Sequence, residues 1–355
     1  MSYKKRCLRL RKNLKKNEAF YISGADDIFY LSGFSGTSAK IIAGPGRPLF
    51  ITDKRYEGSV KSSPIARVYD ILIVKNPKKE LKKILSGCSK IHTSADIRLS
   101  EFLTLQNFRK KIIFSEKLAA MRMIKSPEEI KLIKKSLSIA EKGIKHIVSL
   151  LKPGVTEKEL ALEFEFFTRK NSADSVSFPP IIAFGKNSAI PHHAPSGRKL
   201  RKGDLILVDA GVKYRGYCSD LTRCIAFCIM KPHLISIKNH YNTVKNAKKA
   251  GANMYKNGLL IGKAEEKARN YLKKKGLNSY FTHSLGHSLG IAVHEAPYVR
   301  LKERSRFRNN MVFTCEPGIY LDNKYGIRIE DDYLISGSKP VKLSRLSDGL
   351  IVKET

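Results

Sequence analysis

A chain of 355 residues exceeds what one hydrophobic core ordinarily organises, and 42% hydrophobic with 28% charged residues marks it as globular, not disordered or fibrous. No apolar run approaches the roughly 18 residues of a membrane-spanning helix, so no membrane partner is expected. Lys and Arg number 67 against 32 Asp and Glu, a formal charge of +35, yet these cations spread along the whole chain as solvated helix faces such as KKSLSIAEKGIK, without zinc fingers or an aromatic-interleaved basic stripe, and no specific nucleic-acid partner is expected.

The opening MSYKKRCLRLRKNLKK is short of acids, as a transit peptide is, but it has no apolar signal core and runs directly into the strand-like AFYISG. It reads as a surface helix. Six scattered cysteines, among them Cys224 and Cys228 in CIAFC, show no paired framework and no second Cys or His pair at metal spacing. Reduced thiols in a cytoplasmic protein follow as the expectation.

Through the first third, apolar strand-like runs (AFYISG, IFYLSGF, AKIIAG, PLFITD, RVYDILIV) alternate with helical stretches such as KKELKKILSG, the pattern of a small α/β domain. At MRMIKSPEE the character changes. Ser126 as N-cap, Pro127 in the first turn and Glu128 and Glu129 behind it open a long helix with a buried stripe of Ile130, Ile133, Leu137, Ile144, Ile147 and Val148. A boundary near residue 122 is expected, giving domains 1–122 and 123–355. Thr156 and Glu159 form a capping box for a second helix. After strands at about 205 to 229 the plan recurs: a helix from about Ser236 to Lys256, a helix through AEEKARNYLKKKG, and strands again. The second domain therefore reads as α+β with a weak internal duplication.

Two hairpins carry the chemistry. Folding DLILVDAGVKYRGYCSDLTRC about a centre between Tyr214 and Arg215 sets Asp209 opposite Asp220. Folding EPGIYLDNKYGIRIED about Asn323 sets Glu316 opposite Glu330, with Arg328 on the face of Glu330 and Ile327 and Ile329 on the other. Four carboxylates converging within about 5 Å would repel by roughly 3 kcal/mol per pair at an effective dielectric near 20. Two divalent cations would cancel that charge. Between the hairpins FTHSLGHSLGIAVHEAP holds His283, His287 and His294, and NSAIPHHAP supplies His192 and His193.

Together these residues resemble the pita-bread metallopeptidases, specifically the Xaa-Pro aminopeptidase (aminopeptidase P) and prolidase family, over nearly the full chain. The motifs are VDAG, SDLTR, GHSLG, CEPG and RIED, and the N-terminal region from RLRKNL to TDKRYEGSV is similar to the noncatalytic domain of the same family. The resemblance implies a pita-bread catalytic domain with internal pseudo-duplication, preceded by a smaller α/β creatinase-type domain. It implies that Asp209 chelates one metal ion, that His287 and Glu316 complete the coordination on the opposite side, and that Asp220 and Glu330 bridge.

A hydroxide shared by the two ions would attack the peptide bond before proline, with Glu316 carrying the proton and His192 and His294 stabilising the tetrahedral intermediate. His283, Tyr320 and Arg328 would line the proline pocket; no role carries over to His193. Four hard carboxylates and one imidazole favour manganese, with cobalt, iron or zinc as alternatives. Proline-containing peptides are the implied partners, and a homodimer or tetramer the implied assembly. An aminopeptidase acting on Xaa-Pro peptides is the main expectation. The alternatives are a prolidase confined to Xaa-Pro dipeptides, a basic nucleic-acid- or protein-binding relative, and a creatinase-type hydrolase.

Overall fold

The structure, a computed structural model, describes residues 2–75 and 77–354; Met1, Asn76 and Thr355 lie outside the described residues. The chain divides into two compact units, Met1–Arg122 and Met123–Thr355.

The first unit is built on a six-stranded mixed sheet. Its order across the sheet is Asp70–Ile73, Leu49–Thr52, Ala39–Ala43, Glu18–Ile22, Lys90–Thr93 and Lys111–Phe114. Ala39–Ala43 pairs antiparallel with both of its neighbours, Leu49–Thr52 and Glu18–Ile22, and the other three pairs of the sheet run parallel. Of the strand-like runs, IFYLSGF departs from expectation. Its first five residues complete the helix Ala25–Ser32, which carries Asp26 and Asp27 in its first turn and stops at Gly33 in the left-handed conformation (φ 75°). Those acids favour the positive end of the helix dipole, and Gly33 supplies the αL C-cap.

The second unit repeats one plan twice. Helices Pro127–Leu150 and Glu157–Lys170, both opened by capping boxes, precede one set of strands, and helices Lys231–Ala252 and Gly262–Lys274 precede another. The third helix begins at Lys231 rather than Ser236, because Pro232 in its first turn marks an earlier start. In the first helix Ile130 and Val148 are only half-buried, while the polar Ser136 and Glu141 are buried. Ser136 Oγ donates to Val212 O and bonds Ser219, and Glu141 accepts the backbone N–H groups of Arg345 and Leu346, so each buried polar group is satisfied.

A four-stranded sheet sits between two cores. Its order is Ile351–Lys353, Thr222–Phe227, Leu205–Asp209 and Ile181–Phe184. Ile182, Phe184, Ile206, Val208, Ile225 and Phe227 pack with the first helix pair, while Ile181, Ala183, Leu205, Leu207, Cys224 and Ala226 pack with the second pair. That alternation explains why the strand LILVD is buried along its whole length. A five-stranded sheet, ordered Glu295–Val299, Gly286–Ser288, Val312–Cys315, Asp331–Ser336 and Lys339–Lys342, completes the unit with the ribbon Gly318–Leu321 and Tyr325–Arg328. No helix among the described residues is long and apolar enough to cross a membrane. Cys7, Cys88, Cys224 and Cys315 are free thiols.

Candidate metal centre and active site

Asp209 ends the strand Leu205–Asp209, and the chain returns through a two-residue turn at Arg215 and Gly216, both with positive φ (46° and 80°). Such primed turns match the twist of the flanking strands. The hairpin centre therefore lies between Arg215 and Gly216, one residue beyond the expected position, and Asp209 faces Thr222 instead of Asp220. Since a partner shift of two residues preserves side-chain parity, the two aspartates still reach one cavity. Gly211 permits the approach: a Cβ there would lie 1.9 Å from Ser219 O.

The second hairpin has its centre at Asn323, as its sequence predicts. Gly318 faces Arg328 and Leu321 faces Tyr325. The same register reappears below the ribbon, where Cys315 faces Asp331 and Val312 faces Leu334. Glu316 and Glu330 lie in the break between these two ladders, and Ile327 and Ile329 turn into the core. His287 stands at the middle of Gly286–Ser288, a strand beside Val312–Cys315.

These five side chains border one cavity of about 460 Å³. Asp220, His287 and Glu330 offer ligand atoms that all lie within 4.8 Å of one another. His287 Nε2 is 3.3 Å from Glu316 Oε1 and 3.7 Å from Asp220 Oδ2. Its Nδ1 lies 3.2 Å from Ser288 O, so in the neutral ring Nδ1–H donates to that carbonyl and the Nε2 lone pair faces carboxylates. Lone pair against anion is repulsive unless a cation stands between them.

The acids carry the same strain. Burial, with the charges of Glu330, Asp209 and Glu316, pushes the Asp220 carboxyl well above its ordinary range. Burial, with Glu316 and Asp209, does the same to Glu330. Burial also raises Glu316; against it a protonated His287 would donate from Nε2 and, with the charge of Arg328, hold that group at about 2, so Glu316 calls for a cation at Nε2, whether a proton or a metal ion. Asp209 Oδ1 is buried without a hydrogen-bond partner. Hard oxygen donors in excess, one oriented imidazole and an orphaned carboxylate oxygen are the donor set of a divalent-cation centre, and the residues present fit one.

The remaining expected residues gather around the same cavity. His192 and His294 line it and are exposed, and the rings of His287 and His294 lie 4.4 Å apart edge to face. Burial and the neighbouring His287 lower the His294 pKa. Burial likewise lowers His283. A neutral His283 donates from Nδ1 to Ser284 O at 2.8 Å, leaving Nε2 to accept from the Tyr320 hydroxyl at 2.8 Å. That hydroxyl accepts from Arg328 Nη1 at 2.6 Å, and Arg328 Nη2 donates to Asp209 Oδ2. Tyr320 thus joins the site through His283 and Arg328. An apolar wall formed by Phe178, Pro179, Ile181 and Pro195, with Tyr298, closes the cavity.

Several residues of the site escape a reading by motif. Thr222 Oγ1 donates to Glu330 Oε2 at 2.7 Å and accepts from Arg328 Nε at 3.3 Å; its spacing of two from Asp220 was the available signal. Arg223, fully buried, donates to Glu330 O at 2.6 Å and pairs with Asp331 at 2.7 Å. Asp332 is buried beside Asp220, accepting its N–H at 3.3 Å. No local pattern distinguishes Arg223 or Asp332 from strand residues facing solvent.

Comparison with known proteins places this geometry. Residues 131–337 match the model of metallopeptidase family M24, and residues 6–124 match the creatinase/prolidase N-terminal domain. The chain is 32% identical to the Xaa-Pro dipeptidase of Pyrococcus horikoshii over 344 residues, 94% of each chain. A solved Xaa-Pro dipeptidase from Bacillus anthracis superposes with a TM-score of 0.92 at 32% identity, covering 99% of this chain and 100% of that one. The X-Pro aminopeptidase of Thermotoga maritima superposes with a TM-score of 0.88 at 32% identity, covering 98% and 100%. With a creatinase-type unit first and the duplicated pita-bread unit after it, the chain belongs to metallopeptidase family M24.

Proposed function

We propose that this metallopeptidase is an Xaa-Pro dipeptidase, the alternative and not the main expectation of the sequence. The observation that carries a peptidase reading is the meeting of Asp209, Asp220, His287, Glu316 and Glu330 beneath an apolar wall in one cavity. Preference for the dipeptidase over the aminopeptidase rests on the Pyrococcus horikoshii relative and the Bacillus anthracis structure, both so named and both aligned over 94% or more of each chain. The Thermotoga maritima structure supports the aminopeptidase as the second reading.

In this reading the five residues hold two divalent ions, manganese by the hardness of the donors. Bound there, such ions acidify water and polarise a carbonyl. The chain's own groups do the rest. Glu316, partly exposed to the cavity, takes a proton from water and passes it to the departing proline nitrogen. His294, kept neutral by its surroundings, donates a hydrogen bond to the carbonyl oxygen as charge develops, with His192 beside it. His283, Tyr320 and Arg328, locked to one another, position the proline ring, whose tertiary nitrogen offers no N–H for recognition.

The test is a panel of Xaa-Pro dipeptides, Xaa-Pro-Xaa tripeptides and matched peptides without proline, assayed with manganese-loaded protein. Turnover of the dipeptides alone is expected. Cleavage of tripeptides at equal rate makes the chain an aminopeptidase, and indifference to proline removes the Xaa-Pro reading. A binding protein without catalysis predicts no divalent metal by elemental analysis even after manganese is supplied.

A further inference from the structure

Glu157 opens the helix Glu157–Lys170 and is fully buried. Five donors meet its carboxylate. Oε1 accepts from Phe184 N at 2.8 Å and Asn187 Nδ2 at 2.9 Å. Oε2 accepts from Ser196 N at 2.9 Å and from the Ser196 hydroxyl, and lies 2.8 Å from His193 Nε2. Burial pushes the Glu157 carboxyl up, but the bonds from Ser196, His193, Phe184 and Asn187 outweigh it and hold it below its ordinary value. An ionised carboxylate only accepts, so His193 Nε2 is the donor.

These bonds bracket the segment 184–196, which lines the cavity with Pro191, His192, His193, Ala194 and Pro195, the His193 ring turning its Nε2 to Glu157. The far side of the segment is tied to the second hairpin, where Gly326 N donates to Ser188 Oγ at 2.9 Å and Arg328 Nη1 to Pro191 O at 3.2 Å. A related construction stands behind His294. Its neighbour Glu295 pairs with the buried Lys125 at 3.2 Å, just ahead of the helix Pro127–Leu150, and accepts from Ile291 N at 3.1 Å. In both places the residue after the cavity histidine anchors its loop to a charged side chain at the start of a helix.

We infer that Glu157 and His193 form a positioning pair that holds His192 at the cavity, with the His193 imidazole committed to Glu157 and not to substrate. The inference rests on the reading of His192 as a substrate contact. A fully satisfied buried network of this kind fixes one loop conformation, and removing one donor from it releases the loop without touching the acids.

The experiment compares manganese-loaded full-length variants on leucylproline. His193→Ala is expected to lower kcat/KM by about tenfold or more. In His193→Gln the side-chain amide can replace Nε2–H toward Glu157, and its activity should stay within about threefold of the parent. In a His192→Ala background, His193→Ala should cost less than about twofold more, because the two residues act as one unit. Equal losses in both backgrounds, or a Gln variant as impaired as the Ala variant, overturn the proposal. Hydrogen exchange of the metal-free protein gives a readout that needs no substrate. Faster exchange in His193→Ala confined to residues 185–196 supports the pair, while no change, or a uniform rise across the unit, overturns it. Failure of the Xaa-Pro reading shows separately, as absence of leucylproline turnover by the unsubstituted enzyme.

Discussion

Arg328 donates to Asp209 with one arm of its guanidinium and to the Tyr320 hydroxyl with the other. One buried side chain therefore couples the acid cluster to the residues proposed to position the substrate. The planar fork matters because two donors leave it in fixed, divergent directions.

Arg328→Lys keeps the charge but replaces the fork with a single ammonium, which cannot reach both partners. The expected outcome is a kcat/KM lowered by about 10²-fold, with metal stoichiometry retained. Steady-state kinetics together with elemental analysis check it, and a variant within threefold of the parent would show that the coupling is idle.

Glu316→Ala removes both a proposed metal ligand and the proposed proton carrier. Turnover should disappear and calorimetric titration with manganese should show weakened binding. Activity within tenfold of the parent refutes the assignment.

His294→Ala should lower kcat by at least about 10²-fold while two manganese ions still bind, because the imidazole is proposed to act on the carbonyl oxygen and not on metal. Loss of metal in this variant would move the residue into the coordination shell.

Glu157 predicts an acid-side dependence of stability. Its folded pKa lies below the unfolded value of about 4.3, so between the two the unfolded chain binds more protons, and the stabilisation is present above about pH 5 and lost as pH falls through the folded value. Denaturant unfolding from pH 5 to 3 should show the stability gap between the parent and Glu157→Gln shrinking as pH drops. A gap that stays constant or widens contradicts the assignment.

Much of this architecture was legible in the sequence because its signals are local. Ser126 and Thr156 announce their helices through capping boxes that the structure forms in full. The EPGIYLDNKYGIRIED hairpin yields its register because turn and alternation agree about Asn323. In the first hairpin, Arg215 and Gly216 form the turn, and reading the centre one residue early misplaced the partner of Asp209 but not its face. IFYLSGF is apolar enough for either secondary structure, and its helix is decided by flanking residues, Asp26, Asp27 and Gly33. Glu157 carries no motif that sets it apart from an ordinary first-turn acid, and no family role carries over to His193. Their pairing spans 36 residues of sequence and becomes visible only when the loop closes over the helix start.

The break between the ladders ending at Cys315 and Asp331 and resuming at Gly318 and Arg328 constrains how such a chain can vary in length. Residues added at the exposed tip, 322–324, are absorbed by the loop at small entropic cost. One residue added inside Tyr325–Arg328 would instead reverse the facing of everything between it and the break, sending Ile327 toward the acids and Arg328 into the hydrocarbon interior. Insertions in this hairpin are thus tolerated at its apex, and the strand interiors behave as a fixed-length ruler.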